Sequence, residues 1–405
     1  MSNPGYGIVK RWLPRKATAA ILTGQGIQMD FSKADQVVQD YIGKAAPAIT
    51  AQVRWKGKVV YERAAGWLDP ETRQRPTRLD TMFDLASVTK LFVTAVCMQL
   101  VEMGRLELDR PVCKEVPEFN GERPIRAYEN PLAADQLVEP RETPDVFVDT
   151  AKITYRDLLS HRSGLPAWRP LKDQPDAGAA LRMALGTPFF YPTGTRVVYS
   201  DIGLILLGLT LERARRWRLD ELVRDLVVWP LGLRQTRYLP IDGQPYDTSN
   251  IAPTEFCEWR KRRVVGEVHD ENAARLGGIS GHAGLFSTVG ELARFGENFL
   301  NPWRGLLNPR TVAEMARLQA EEGTARRGLG FALWSPDPEA SSNPFSQKTF
   351  GHTGFTGTSL WIDPERKLTV ALLTNRVYYG RDAEEIIRLR VDLHRAIVQE
   401  VDRNG

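Results

Sequence analysis

The sequence predicts an α+β fold: one antiparallel sheet built from the N- and C-terminal segments and flanked by helices, with a mainly helical lobe between them. Near the start, β-rich residues at 48–55 and 58–67 are joined at Lys56-Gly57, which indicates a hairpin. Near the end, three further stretches have strand character, namely 349–352, 358–363 and 368–374. Strands at both ends with helical patterns between them favour one sheet assembled from both ends of the chain.

Length and composition limit the number of domains that the chain can form. The chain has 405 residues, of which 42% are hydrophobic, so a sizeable core is expected. It contains no internal repeat and no stretch of linker-like composition. We therefore expect an N-terminal extension at 1–30 and a single domain over 31–402, whose helical lobe covers about 105–320.

Charge and cysteine content exclude several classes of protein. The formal charge of +4 reflects 54 basic and 50 acidic residues, which are dispersed, so no nucleic-acid partner is expected. The three cysteines form no C-x-x-C pair, so neither a disulfide framework nor a zinc ribbon is indicated. No apolar run approaches the roughly 18 residues of a membrane helix, and residues 17–22 are too short and mixed for a signal peptide. A cytoplasmic location is expected for the chain as written, unless its true start lies upstream.

Helical patterns occur before and after the predicted hairpin. Ser32 is expected to cap a short helix that ends near Gly43. Apolar residues recur at helical spacing over 91–103, which predicts a buried helix that stops at Gly104. Residues 121–144 are charged and contain prolines, which indicates a long surface insertion where a substrate-facing loop could lie. Further helices are expected at 153–160, from about 288, and over about 382–401.

The first turn of the buried helix carries Ser87 and Lys90. Residues three apart share a helix face, so the Lys90 amine can reach the Ser87 hydroxyl, and free backbone N–H groups there carry partial positive charge. A serine beside an amine base, at a site whose backbone N–H groups can bind an oxyanion, is a candidate nucleophile. The alternative is an exposed turn with a capping serine and a solvated lysine, so the hypothesis depends on partners elsewhere.

The first candidate partner is Tyr199-Ser200-Asp201, which leads directly into an apolar helix. A phenol at the start of such a helix can be buried next to a serine and a lysine. Similar triplets at 128–130 and 155–157 are not followed by so strongly apolar a helix. Tyr199 is therefore the preferred tyrosine.

The second candidate partner is His352-Thr353-Gly354 on a predicted late strand. A glycine at position 354 lets the backbone approach a ligand, and the N–H of Phe355 after it can point into the site.

The order Ser-x-x-Lys, Tyr-x-Asp, His-Thr-Gly resembles the serine β-lactamase and penicillin-binding protein superfamily, specifically its class C-like branch of D-amino-acid peptidases and esterases. The resemblance spans about residues 31–374 and includes segments between the motifs, such as 153–166 and 230–233. Residues 267–273 with the glycine-rich loop at 277–287 resemble one subgroup of these hydrolases. The resemblance implies a β-lactamase-like fold and a hydrolase that needs no metal or cofactor.

The resemblance also implies roles for individual residues. Ser87 would be the nucleophile that forms an acyl-enzyme, and Lys90 and Tyr199 would share the general-base work; which of the two takes the serine proton stays open. The oxyanion hole would be the backbone N–H groups of Ser87 and Phe355. The expected substrate-binding residues are Asp201, His352, Thr353 and Gly354.

Two departures from the family pattern bear on the substrate. Many relatives have Asn at position 201, whose amide can donate to a β-lactam or peptide carbonyl, whereas an ionised Asp only accepts and should favour protonated Lys90. Many relatives have Lys at position 352, whereas His is mostly neutral at pH 7, so affinity for a substrate carboxylate should fall. A small-molecule carboxylic ester or D-amino-acid-type amide is therefore the expected substrate. A D-alanyl-D-alanine carboxypeptidase or weak β-lactamase is the alternative, and a non-catalytic assembly protein that keeps the fold is a second.

The five histidines lack the H-E-x-x-H spacing of a zinc hydrolase, so loop packing or site lining is preferred to metal binding. His282 is expected to line the pocket, with a structural turn as the equal alternative. No G-x-S-x-G motif supports an α/β-hydrolase. The oligomeric state is left open.

Overall fold

The computed structural model describes residues 29–133, 136–141, 145–239, 246–300 and 305–405. The helices of these residues, α1 to α10, are Ser32–Tyr41, Thr89–Glu102, Tyr155–Leu159, Ala177–Leu185, Asp201–Arg215, Leu219–Val223, Glu271–Arg275, Val289–Glu297, Pro309–Ala316 and Glu384–Asn404. The strands, β1 to β17, are Ala48–Trp55, Lys58–Gly66, Phe83–Asp84, Glu122–Pro124, Tyr128–Glu129, Leu137–Val138, Phe147–Asp149, Arg237–Tyr238, Phe256–Cys257, Arg262–Arg263, Leu285–Ser287, Ala320–Glu322, Ala325–Arg327, Ala332–Leu333, Phe350–Thr353, Ser359–Asp363 and Leu368–Thr374. Most of the expected N-terminal extension, residues 1–28, lies outside the described residues.

The largest sheet confirms that both ends of the chain build one antiparallel structure. Its eight strands run in the order β12-β13-β14-β15-β16-β17-β1-β2. The first strand joins the last, with Ile49 opposite Thr374 and Trp55 opposite Leu368. The two ends therefore meet at the middle of the sheet rather than at an edge.

Helices cover both faces of this sheet. On one face, α1 and α10 pack together over an apolar cluster that includes Val38, Ile49 and Leu393. On the other face, α8 packs on β1, β16 and β17, and a larger apolar cluster joins the sheet to α2 and α5. The core helix α2 is buried on all sides except at its C-terminal end, because it lies between the sheet and the helical lobe.

The start of α1 and the edge of the largest sheet differ from the sequence-based expectations. Ser32 is not the cap of α1: it is the first helical residue, and its N–H donates to Asp30 Oδ1 at 2.9 Å. The short strands β12 to β14 were not predicted, because they are two or three residues long and carry no alternating apolar pattern. They form by pairing onto β15.

Among the described residues, no helix is both long and apolar enough to cross a bilayer.

Candidate active site

The turn that carries Ser87 is tighter than the expected α-helical turn. Residues Ala86–Val88 form a 3₁₀ turn that leads into α2, and Ala86 has a left-handed φ of 46°. Asp84 holds this turn: its Oδ1 accepts from the Ala86 N–H at 2.8 Å and its Oδ2 from the His269 N–H at 2.6 Å. Burial raises the pKa of Asp84, and the two N–H donors act against that rise. Left-handed backbone at a residue other than glycine is a strained conformation that persists only where its surroundings hold it.

Lys90 is 1% exposed, and its ammonium lies close to three oxygen atoms. Its Nζ lies 2.8 Å from Ser87 Oγ, 2.8 Å from Asp201 Oδ1 and 3.0 Å from the His282 carbonyl oxygen. Burial alone would lower the pKa of Lys90, but the Asp201 carboxylate and Tyr199 together outweigh it and the pKa is raised. Two of these contacts are hydrogen bonds, to Ser87 Oγ and the His282 carbonyl oxygen, and the contact with Asp201 is an ion pair. The sequence-based expectation that Asp201 favours the protonated lysine agrees with this geometry.

Tyr199 lies beside Lys90, with its ring centroid 4.9 Å from the Lys90 Nζ. Burial raises the pKa of the Tyr199 phenol, whereas the Lys90 charge lowers it. The tyrosine directly precedes Ser200, which caps α5 by accepting from the Gly203 N–H at 3.0 Å. His161 accepts from the Ser200 N–H at 3.1 Å, and its ring lies 4.6 Å from the Tyr199 ring. The phenol is thus positioned by a helix cap and a buried neutral histidine, whose pKa burial lowers.

The glycine-rich loop brings a carbonyl, rather than a side chain, to the site. A Cβ at Gly281 would lie 3.0 Å from the Gly208 nitrogen of α5, so this loop can rest against the helix only with glycine there. The His282 ring is turned away from Lys90: Nε2 lies 2.9 Å from Asp270 Oδ1 and Nδ1 lies 2.8 Å from Ser280 Oγ. Of the two alternatives for His282, the structural turn fits the ring, and the backbone carbonyl makes the contact with Lys90.

The third motif lies on β15, alongside the Ser87 turn. His352 Nδ1 lies 2.7 Å from the Thr353 carbonyl oxygen, and its ring is 5.7 Å from that of Tyr199. Burial, with the charges of Lys90 and Arg327, lowers the pKa of His352 to about 3. His352 is therefore neutral at physiological pH.

Gly354 is where this strand meets the turn. A Cβ there would lie 2.6 Å from the Leu85 carbonyl oxygen, so the two backbones can approach this closely only with glycine. Hydrogen bonds from Thr356 Oγ1 to the Asp84 carbonyl, at 2.8 Å, and from Thr358 Oγ1 to the Leu85 carbonyl, at 2.9 Å, join the same segments. The backbone of Phe355 is thereby fixed relative to Ser87.

Phe355 is held from two sides. Arg376 Nε donates to its carbonyl oxygen at 2.7 Å and stacks on its ring at 4.5 Å. His269 stacks on the ring at 5.6 Å, and its Nε2 lies 3.0 Å from Glu255 Oε1. Burial raises the pKa of Glu255, but His269 and Arg381 outweigh it and the pKa is about 2.

A cleft of about 630 Å³ opens onto Ser87 and Tyr199 and is lined further by His352–Phe355, Arg327 and Arg390. None of the described residues of 121–144 lines this cleft, so the described part of the insertion does not face it as a substrate-facing loop would. A larger cavity of about 940 Å³ lies between α9 and β15 and contains none of the candidate site residues.

The structure brings together every residue singled out from the motifs, although they are up to 268 positions apart along the chain, from Ser87 to Phe355. Two residues of this site were not predicted from the sequence. Asp84 lies three residues before Ser87, and its buried position could have been suspected from that spacing. Arg327 lies on the unpredicted strand β13 and carries no signal in the sequence. No group of histidine, cysteine or acidic residues within the described ranges is arranged to hold a metal ion.

Comparison with known proteins gives a family and several relatives. The β-lactamase family model matches residues 34–395. An N-acetylmuramyl-L-alanine amidase of Bacillus subtilis is 30% identical over 390 residues, which cover 87% of this chain and 82% of that protein. A putative D-alanyl-D-alanine carboxypeptidase of Salmonella typhimurium is 31% identical over 379 residues, which cover 84% of this chain and 82% of that protein.

Solved structures share the fold at low identity. EstCE1, described as a hydrolase with promiscuous acyltransferase activity, is 21% identical with a TM-score of 0.68, over 90% of this chain and 98% of that one. Simvastatin synthase LovD of Aspergillus terreus is 22% identical with a TM-score of 0.69, over 91% of this chain and 98% of that one. These likenesses establish the β-lactamase-like α+β architecture.

Proposed function

The chain belongs to the β-lactamase family of serine hydrolases, and from that premise we propose that Ser87 is the nucleophile that forms the acyl-enzyme. One observation carries the proposal: the buried Lys90 Nζ lies 2.8 Å from Ser87 Oγ, at the start of a core helix. A solvated first-turn lysine, the alternative considered from the sequence, does not fit a side chain that is 1% exposed.

Lys90 and Tyr199 then act as one coupled base. The pKa values of both are raised, Tyr199 by burial and Lys90 by Asp201 and Tyr199 in spite of burial, so the resting pair is fully protonated at neutral pH. Ser87 can give up its proton only after the pair has lost one. The pair therefore titrates as a unit, and activity should rise on the alkaline side of neutrality.

The N–H groups of Ser87 and Phe355 form the oxyanion hole in this proposal. The close approach at Gly354 supports it, because it sets the distance between the two backbone segments that carry these groups. Donors fixed in advance stabilise the negative charge of a tetrahedral intermediate without reorganisation.

The substrate is a carboxylic ester or a D-amino-acid-type amide, and the alternative of a D-alanyl-D-alanine carboxypeptidase stays within this class. The relatives named as an amidase and a putative carboxypeptidase support amide hydrolysis. A β-lactam is less favoured, because Asp201 is ion-paired with Lys90 and a carboxylate cannot donate to the lactam side-chain carbonyl.

The test is a substrate panel with a labelling arm. Wild type, Ser87→Ala and the exposed-serine control Ser249→Ala are assayed on a short-chain p-nitrophenyl ester, an N-acyl-D-alanyl-D-alanine and a chromogenic cephalosporin. Each protein is also treated with a fluorophosphonate and a penicillin and weighed intact. We expect wild type and Ser249→Ala to turn over the ester or the D-alanyl peptide and to carry one adduct with at least one of the two reagents. Ser87→Ala should show neither turnover nor an adduct. An adduct-free wild type that turns over none of the panel would support the assembly-protein alternative.

A further inference from the structure

A buried arginine from the C-terminal helix lies behind the third motif. Arg390 is on α10, and 8% of its surface is exposed. Its Nη2 donates to the carbonyl oxygen of Gly354 at 2.9 Å and to that of Thr358 at 2.7 Å. Within the described ranges no carboxylate forms an ion pair with Arg390, and its buried Nε makes no hydrogen bond. The guanidinium is therefore directed at the backbone of one short turn, residues 354–358.

The charge of Arg390 is not needed to satisfy these two carbonyl oxygens. The Gly354 carbonyl already accepts from the Gly357 N–H at 3.0 Å, and the Thr358 carbonyl accepts from the Gly354 N–H at 2.7 Å. Burial and the charge of Arg376 lower the pKa of Arg390 to about 9, so the guanidinium remains a cation at neutral pH. A buried charge without an ionic partner is unfavourable for folding, so stability alone does not account for an arginine at this position.

The Gly354 carbonyl shares a peptide plane with the N–H of Phe355. No described peptide bond is cis, and in a planar trans peptide the C=O and the N–H point in opposite directions. A donor that fixes the direction of the Gly354 carbonyl therefore also fixes the direction of the Phe355 N–H. Donation to that carbonyl polarises the peptide as well, which strengthens the N–H as a hydrogen-bond donor.

We propose that Arg390 is a positioning residue for the oxyanion hole: it holds the Gly354–Phe355 peptide so that the Phe355 N–H faces the oxyanion that forms when Ser87 attacks the substrate. This inference rests on the proposed function, in which the Phe355 N–H is one of the two oxyanion donors. Because Arg390 acts through that peptide, its effect belongs to the transition state, where negative charge develops, rather than to substrate binding.

A different role for Arg390 is to fasten α10 to the sheet without any effect on the oxyanion, and the experiment separates the two. Arg390→Met, Arg390→Lys and Arg395→Met are compared with wild type on an aryl ester and on the matching thionoester, with circular dichroism and thermal unfolding to verify the fold. The thionoester places sulfur where the oxyanion would form, and sulfur is a weak hydrogen-bond acceptor. Arg395 is the matched control, an exposed arginine of the same helix that pairs with Asp392.

Loss of one oxyanion donor costs about 100- to 1,000-fold in kcat. Arg390→Met misdirects and weakens the donor without removing it, so we expect a smaller fall on the ester, about 10- to 100-fold in kcat with KM within about threefold. The thionoester should lose less than about threefold, so the preference for the ester shrinks. Arg390→Lys should keep part of that preference, because an ammonium can still donate to the carbonyl oxygens, and Arg395→Met should match wild type. Equal losses on the two substrates, or a wild-type ratio in Arg390→Met, would overturn the inference.

A second readout needs no turnover. Hydrogen–deuterium exchange of the peptide that spans residues 354–358 is measured in Ser87→Ala and in Ser87→Ala/Arg390→Met. Faster exchange in the double variant is expected, and equal exchange would show that the guanidinium does not hold this turn. If wild type turns over neither substrate, the proposed function fails while the exchange result still decides whether Arg390 holds the turn. Ser87-dependent turnover with an unchanged ester-to-thionoester ratio in Arg390→Met overturns the inference alone.

Discussion

Gly354→Ala should damage catalysis far more than the fold. The added Cβ would collide with Thr358 Oγ1 and would lie 2.6 Å from the Leu85 carbonyl oxygen, whereas carbon–oxygen contacts begin at about 3.3 Å. The strand and the Ser87 turn must therefore separate by about 0.7 Å, the difference between these two distances. Gly354 does not have a left-handed φ, so the substitution tests space rather than backbone conformation.

That separation exceeds what an oxyanion hole tolerates. Its donors must lie within about 2.7–3.1 Å of the oxyanion, a window of about 0.4 Å, and loss of one donor costs about 100- to 1,000-fold in kcat. We expect a fall of that size in Gly354→Ala on a p-nitrophenyl ester, with KM changed much less, because the donor acts mainly in the transition state.

The assay compares Gly354→Ala with Gly178→Ala by steady-state kinetics, circular dichroism and thermal unfolding. Gly178 is an exposed residue inside α4, where a Cβ meets side-chain atoms of Asp176 and Arg182 at 3.2 and 3.3 Å, and alanine favours a helix. The control should keep wild-type kcat. A folded Gly354→Ala with kcat within about threefold of wild type would show that the Leu85 contact does not set the position of Phe355.

The remaining predictions concern protonation. Lys90→Ala and Tyr199→Phe should each lower kcat about 100- to 10,000-fold, and the double variant little more, because the two act as a unit. Lys90→Arg should fail equally, since a guanidinium stays protonated; activity within about threefold of wild type would contradict the base assignment. Asp201→Asn removes the charge that raises the pKa of Lys90, so the acid limb of the kcat profile against pH should move to lower pH; a shift to higher pH would refute the coupled base. Burial lowers the pKa of His394 to about 4. In the unfolded chain the same histidine binds a proton near pH 6.5. The free energy of unfolding therefore falls as the pH drops from about 6.5 towards 4. In His394→Gln the loss of unfolding free energy between pH 7 and pH 5, measured by urea denaturation, should be smaller than in wild type by about 2 kcal/mol; an unchanged loss would mean that His394 does not titrate this way.

Much of the fold could be predicted because its signals are local. The hairpin at Lys56-Gly57, the core helix after Ser87 and the late strands each follow from a short run of residues with clear periodicity. The motif residues could also be chosen, since a serine three residues before a lysine, or a glycine after a strand, has chemical meaning on its own.

What only the tertiary structure decided is which groups meet. The third partner of Lys90 is the backbone carbonyl of His282, and a carbonyl is present in every residue, so no residue type marks it. Arg327 reaches the cleft because β13 pairs, through β14, with β15. A strand of three residues with two arginines has no intrinsic preference for that position. The sequence by itself determined the elements and the chemically distinctive side chains, through short-range periodicity and spacing. Packing decided the hydrogen-bond partners, the burial and therefore the charge state of each site residue, because those depend on atoms contributed by distant segments.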